Sequence, residues 1–265
     1  MEILRCYEDL AALRRSQLRP GVMTNCVLTE RELRRELSAE RLYCQAWPEG
    51  LYLLRHRAGH WLLQYYLQPG GSFPAPEAAG PVVTEVPIRP KDAGSEAALL
   101  AKLGAAGFSL LLRRVRLQYR PAGPVQEPEA LVHFGTTEDA REALDLLHAS
   151  LDPLTGCLPG VDELREDGAQ GNLLLTRGGD GTLTGVLQFR QAPGLWEIRH
   201  LAVRADARAQ GLGTRLLRAF LSQAGERRAQ VWTGQTNAAA LAAYQKVGFM
   251  QDGCRSSVLL RERTI

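Results

Sequence analysis

Residues 200–220, HLAVRADARAQGLGTRLLRAF, begin with a strand-like apolar pattern and end with a helix-like one. Between the two lies Arg208-Ala-Gln-Gly211-Leu-Gly213, a loop with glycines two residues apart. A loop that opens a helix presents unpaired backbone N–H groups and the positive end of the helix dipole. Glycines at 211 and 213 let that backbone approach a ligand without interference from a Cβ. Such an arrangement suits phosphate. It is not the dinucleotide fingerprint, because Leu216 stands where G-x-G-x-x-G needs its third glycine, and no Gly-Lys-Ser/Thr follows to make a P-loop.

The rest of the chain falls around two Gly/Pro-rich breaks. QPGGSFPAPEAAGP at 68–81 interrupts the N-terminal half, and RPAGPVQEPEA at 120–130 precedes a new helical pattern. The second break predicts two domains, 1–125 and 126–265. After it, ALVHFG reads as a strand, TTEDAREALDLLHASL and PGVDELREDG as helices, and NLLLTRGGDGTLTGVLQFR as a hairpin turning at Gly178–Gly181. LWEIRHLAV, the glycine loop and its helix, the strand AQVWTGQT, the helix NAAALAAYQKV and the strand CRSSVLLRER complete a mixed α/β order. In the first half, LYLLRHRAGHWLLQYYL predicts a hairpin with its turn at Ala58-Gly59. GPVVTEVPIR follows as a strand, SEAALLAKLGAAGF as a helix and SLLLRRVRLQY as a strand. Both halves end helix, Gly-Phe, strand, with Gly107-Phe108 matching Gly248-Phe249. That likeness points to an internal duplication, unless each joint is simply a glycine C-cap.

Composition excludes several classes. The 265 residues carry a net charge of +3 with no dense basic run, which speaks against a nucleic-acid partner. Three of the 32 basic residues are lysines (Lys91, Lys102 and Lys246), and the arginines are scattered over the chain. No apolar run approaches the roughly 18 residues that span a bilayer, and the N-terminus lacks a signal-peptide pattern. The five cysteines lie far apart with no C-x-x-C pair, suggesting neither zinc nor a disulfide framework. A cytoplasmic location with no metal and no membrane partner is expected.

R-x-x-G-x-G after a strand, followed by N-x-x-A-x-x-x-Y-x-x-x-G-F, resembles the GNAT superfamily of acyl-CoA-dependent N-acetyltransferases. The first motif is carried by Arg208, Gln210, Gly211 and Gly213, and the second by Asn237, Ala240, Tyr244, Gly248 and Phe249. The resemblance covers residues 131–265 and implies a central mixed, mostly antiparallel sheet flanked by helices. With the first half as a degenerate GNAT-like domain, it implies a tandem α+β protein. It further implies that Arg208, Ala209, Gln210, Gly211, Leu212, Gly213 and Thr214 hold the pyrophosphate of acetyl-CoA. Asn237 and Ala240 would lie at the cofactor, with Tyr244 near its sulfur. If the strand splays from its neighbour, the amides of Leu201, Ala202 and Val203 are free for the acetyl oxygen and pantetheine.

Acetyl transfer needs the ammonium deprotonated, the thioester carbonyl polarised and the leaving thiolate protonated. Tyr244 is the expected acid, its alternative being a packing role. Glu197, fourteen residues before Gly211, is the expected base and resembles the base glutamate of the histone-acetylating branch. Its alternative is a structural pair with Arg190 or Arg199. His200 is a second candidate base, on the other face of an ideal strand unless a bulge intervenes. The expected activity is acetyl transfer to a primary amine of a small molecule by a monomer or homodimer. The alternative is a catalytically decayed acyl-CoA-binding sensor or regulatory module.

Overall fold

The computed structural model describes residues 1–17, 19–121 and 129–262. The chain divides into two compact units, Met1–Arg113 with Cys254–Ile265, and Arg114–Gly253. The expected boundary at 125/126 lies outside the described residues. The strand from Cys254 onward groups with the first unit, whereas the sequence reading placed it with the second.

Along the first unit run β1 (Glu2–Ile3), α1 (Tyr7–Gln17), β2 (Met23–Thr24), α2 (Glu30–Ser38), β3 (Leu42–Trp47), β4 (Gly50–Arg57), β5 (His60–Leu67), β6 (Val82–Ile88), α3 (Ala93–Ala105) and the start of β7 (Ser109–Tyr119). The second holds the rest of β7, then β8 (His133–Phe134), α4 (Ala140–Ser150), α5 (Pro153–Gly156), α6 (Val161–Ala169), β9 (Leu173–Arg177), β10 (Leu183–Ala192), β11 (Leu195–Val203), α7 (Leu212–Ala224), β12 (Arg228–Gly234) and α8 (Ala238–Lys246). The strand β13 (Met250–Arg261) begins in the second unit and continues into the first.

In the first unit the strands lie in the order β1-β3-β4-β5-β6-β13. Only β5 and β6 run parallel in this series, Trp61–Leu63 against Val82–Thr84. Side chains along β4 alternate between two cores, as the strand period demands. Tyr52 and Leu54 pack with Leu99 and Leu103 of α3, whereas Leu51 and Leu53 pack with Leu10 of α1 and Leu33 of α2. The second unit repeats this plan. Its order is β8-β9-β10-β11-β12-β7, with β11 and β12 parallel and the other pairs antiparallel. Leu187 and Phe189 of β10 meet Phe220 of α7 and Tyr244 of α8 on one face, and Val186 meets α4 and α6 on the other.

The two Gly-Phe joints are the same structure. Gly107 and Gly248 both have positive φ, 89° and 94°. Phe108 N–H donates to the Leu103 carbonyl at 3.0 Å and Phe249 N–H to the Tyr244 carbonyl at 3.1 Å, the 6→1 bond of a Schellman cap. Both phenylalanines are buried. The units differ in what joins their parallel strands. In the second, a glycine loop and α7 connect β11 to β12. In the first, residues 68–81 contain no helix, and Phe73 from this stretch is buried in the core that α3 covers.

Candidate acyl-transfer site

The site is built where β11 parts from β12. Their parallel pairing ends at Ile198 and Val231, although β11 continues to Val203 and β12 to Gly234. Against β10 the pairing continues, with Val203 opposite Gly185, Ala202 opposite Val186 and Leu201 opposite Leu187. Arg204 N–H donates to the Thr184 carbonyl at 2.8 Å. Hydrogen-bonded and non-bonded pairs alternate in an antiparallel ladder. Ala202 is therefore bonded into β10, while the backbone groups of Leu201 and Val203 turn toward the gap. Of the three expected amides, the register leaves two for a ligand and commits Ala202 to the sheet.

A bulge sets the faces of β11. Gln188 pairs with His200 and Phe189 with Ile198, so Arg199 is the extra residue. Before it, Trp196 and Ile198 face α7; after it, Leu201 packs on that same side and Ala202 faces α4. Since Arg190 pairs with Glu197 and Gln188 with His200, the bulge puts Glu197 and His200 on one face. An ideal strand would separate them.

Neither side chain is unengaged. One Glu197 oxygen accepts from Arg190 Nη2 at 2.6 Å and the other from Gln230 Nε2 at 3.1 Å, with Arg199 Nη1 3.7 Å away. The arginine pair raised as the alternative in the sequence is thus present. His200 is buried, with Nδ1 2.6 Å from Gln188 Oε1 and Nε2 2.8 Å from the Gly156 carbonyl. Burial, helped by the Arg199 charge, pushes the imidazole down to about 4. It ties β11 to the end of α5 and has no nitrogen to spare for substrate.

Beyond β11 the loop turns twice through the left-handed region, at Ala209 (φ 62°) and Gly211 (φ 78°). Arg208, Ala209, Gln210 and Gly211 are exposed. Arg208 Nε donates to the Val203 carbonyl at 3.2 Å, and Gln210 Nε2 to that of Asp206 at 3.4 Å. The first bond within α7 runs from Arg215 N–H to Gly211 O, and no side chain caps this end. The amides of Leu212, Gly213 and Thr214 therefore lack an acceptor within the helix. A Cβ on Gly211 would meet nothing within 4 Å, and one on Gly213 only Val203 Cγ2 at 3.8 Å. Packing does not demand either glycine.

Tyr244 lies in the core with Phe249, ring centroids 5.7 Å apart. Its hydroxyl has no hydrogen-bond partner among the described residues, yet it is not a sealed-off buried atom. Burial pushes the phenol upward, so it keeps its proton. Asn237 caps α8, its Oδ1 accepting from Ala240 N–H at 3.1 Å. Both residues are thus accounted for within the helix cap. The sequence reading missed a cavity of about 260 Å³ beside Gly211 and Thr214, whose wall carries Arg215, Arg218, Lys246 and Glu129. The available signal was the i,i+3 spacing of the two arginines on α7. Among the described residues, no group of three or more His, Cys, Asp or Glu side chains is placed to hold a metal, and no helix is long and apolar enough to cross a membrane.

Residues 144–249 match the acetyltransferase (GNAT) family. This part of the chain is a GNAT acetyltransferase domain, of a family whose chemistry is acyl transfer. Solved structures share the fold over more of the chain. A GCN5-related N-acetyltransferase from Sphaerobacter thermophilus is 15% identical with a TM-score of 0.57, covering 96% of this chain and 91% of that one. A GNAT-family acetyltransferase from Colwellia psychrerythraea is 15% identical at 0.56, covering 99% of each. A tandem GNAT protein from the clavulanic acid biosynthesis pathway is 15% identical at 0.51, covering 82% and 80%. No curated protein matches the sequence.

Proposed function

We propose that the second unit transfers an acetyl group from acetyl-CoA to the primary amine of a small molecule, by direct attack in a ternary complex. The observation that carries this reading is the backbone between Leu201 and Thr214. Two amides facing a gap between strands lead into a doubly left-handed loop and an uncapped helix start, a run of donors suited to a thioester arm ending in a pyrophosphate. Acetyl-CoA supplies the activated thioester. Leu201 and Val203 offer N–H groups to its carbonyl and amides, and the 209–214 backbone with Arg208 takes the diphosphate. Tyr244 holds a proton for the leaving thiolate. Glu197 accepts the ammonium proton through water once Arg190 or Gln230 yields one oxygen. The small-molecule acceptor draws support from the tandem relative, which belongs to a biosynthetic pathway.

Release of free CoA thiol on mixing the protein with acetyl-CoA and a panel of amines tests the reading. Binding of acetyl-CoA without amine-dependent release would leave a regulatory module, a reading that the engaged Glu197 carboxylate favours. The base has its own test. Glu197→Gln keeps the shape and loses the proton acceptor, so kcat should fall about tenfold or more at neutral pH and recover partly as alkaline pH deprotonates the amine. A pH–rate profile that overlays the parent's would remove Glu197 from the chemistry.

The first unit has no helix between its parallel strands and so no helix start to hold a diphosphate. Calorimetric titration should accordingly saturate at one acetyl-CoA per chain. Saturation at two would assign the first unit a site of its own.

A further inference from the structure

The gap that opens between β11 and β12 has a counterpart in the first unit, and there it is filled. The parallel pairing of β5 with β6 stops at Leu63 and Thr84, while β5 runs on to Leu67 and β6 to Ile88. On its other edge β5 stays paired with β4 as far as Leu67, opposite Gly50. The edge that β6 releases is therefore the one that β2 takes, with Thr24 opposite Tyr66 and Met23 opposite Leu67. Between the end of one pairing and the start of the other lies the side-chain amide of Asn25. Its Oδ1 accepts from Tyr65 N–H at 2.8 Å. Its Nδ2 donates to the Glu85 carbonyl at 2.8 Å, to Thr84 Oγ1 at 3.1 Å and to the Leu63 carbonyl at 3.3 Å. A backbone donor on one side and backbone carbonyls on the other fix which way this amide points. Asn25 is buried, and it joins the two strands as a peptide group of an intervening chain would.

The correspondence between the units runs residue by residue. Tyr65 stands two residues past the last pair on β5, and Leu201 stands two past it on β11 once the bulged Arg199 is left out. Asn25 Oδ1 thus engages the counterpart of an N–H that faces the gap in the second unit. We infer that the first unit contains an amide-binding slot of the same build, suited to an extended chain with a secondary amide, and that Met23–Asn25 are its resident occupant. The slot asks for a carbonyl to meet Tyr65 N–H and an N–H to meet the Glu85 carbonyl, and a secondary amide supplies both. The choice of the pantetheine arm as the ligand that this occupant replaces rests on the acyl-CoA reading. The first unit is then closed to an acyl arm by its own chain, in addition to lacking a helix start for the diphosphate.

Hydrogen exchange in the full chain, read at the amides of residues 65 and 201 with and without acetyl-CoA, tests this. In the parent, Tyr65 N–H should exchange slowly whether or not acetyl-CoA is present, whereas Leu201 N–H should slow about tenfold when it is added. Asn25→Gly removes the equivalent of an acetamide molecule, so Tyr65 N–H should exchange about tenfold faster or more in the folded variant. Acetamide or pantetheine should then slow it again by about threefold or more, and neither should alter Tyr65 in the parent. Asn25→Ala gives the same readout where the glycine variant does not fold, and the parent comparison needs no variant. Slowing of Tyr65 N–H by acetyl-CoA in the parent, unchanged exchange in a folded variant, or variants indifferent to both small amides would overturn the filled slot. A Leu201 N–H indifferent to acetyl-CoA, with Tyr65 behaving as expected, would overturn the acyl-CoA reading and leave the slot standing.

Discussion

Replacing Tyr244 by phenylalanine is expected to lower turnover about 10²-fold or more, with acetyl-CoA affinity and melting temperature close to the parent's. The ring packs against Phe249, and phenylalanine keeps that contact. The hydroxyl has no partner among the described residues, so its removal strands no buried donor or acceptor. What disappears is a proton that burial has made hard to lose. Such a phenol stays protonated and can donate a hydrogen bond to the sulfur as negative charge develops on it. General acid catalysis of this kind contributes about 10²–10⁴-fold, the lower end applying where water substitutes. Single-turnover rates alongside calorimetry separate chemistry from binding. A turnover within twofold of the parent would reduce Tyr244 to a core residue.

The second large effect separates a ligand's requirement from the fold's. Gly213→Ala places a methyl group near Val203 at ordinary contact distance, inside a helix and at a φ that is not left-handed. Alanine is favoured over glycine in helices by about 1 kcal/mol, so the variant should melt at or above the parent's temperature. Its acetyl-CoA affinity should stay close to the parent's, because the added methyl meets only Val203 Cγ2 at 3.8 Å and leaves the backbone amides in place. Gly211→Val is the disruptive change. Its left-handed φ of 78° costs a β-branched residue about 1–2 kcal/mol of stability, and its Cβ projects where no protein atom lies within 4 Å. Affinity should drop at least tenfold, about 1.4 kcal/mol. Unchanged affinity in folded Gly211→Val would move the diphosphate elsewhere.

Much of this was legible because it is written locally. The switch from strand to helix around Gly211, the hairpin at Gly59 and the paired Gly-Phe joints each depend on a few consecutive residues. So does the capping box of α2, where Thr29 and Glu32 satisfy each other's backbone N–H. What was not legible depends on register. Whether Glu197 and His200 share a face turns on one extra residue at Arg199, and which β11 amides face the gap turns on its alignment with β10. The Glu197–Arg190 contact spans two strands, and the sequence offered it only as one of two partners. The basic cavity joins residues 129, 215, 218 and 246, which no single motif contains.

The pairing of β6 with β13 gives the order of synthesis a structural meaning. Arg255–Arg261 lie against Val82–Ile88, so one neighbour of β6 is translated only after the entire second unit. A nascent chain would carry β6 with that edge unmatched throughout this interval, and unmatched edges recruit other chains. Completion of the first unit is therefore deferred until the acyl-transfer unit exists. A chain stalled or cut before β13 would leave an adhesive first half rather than a finished one.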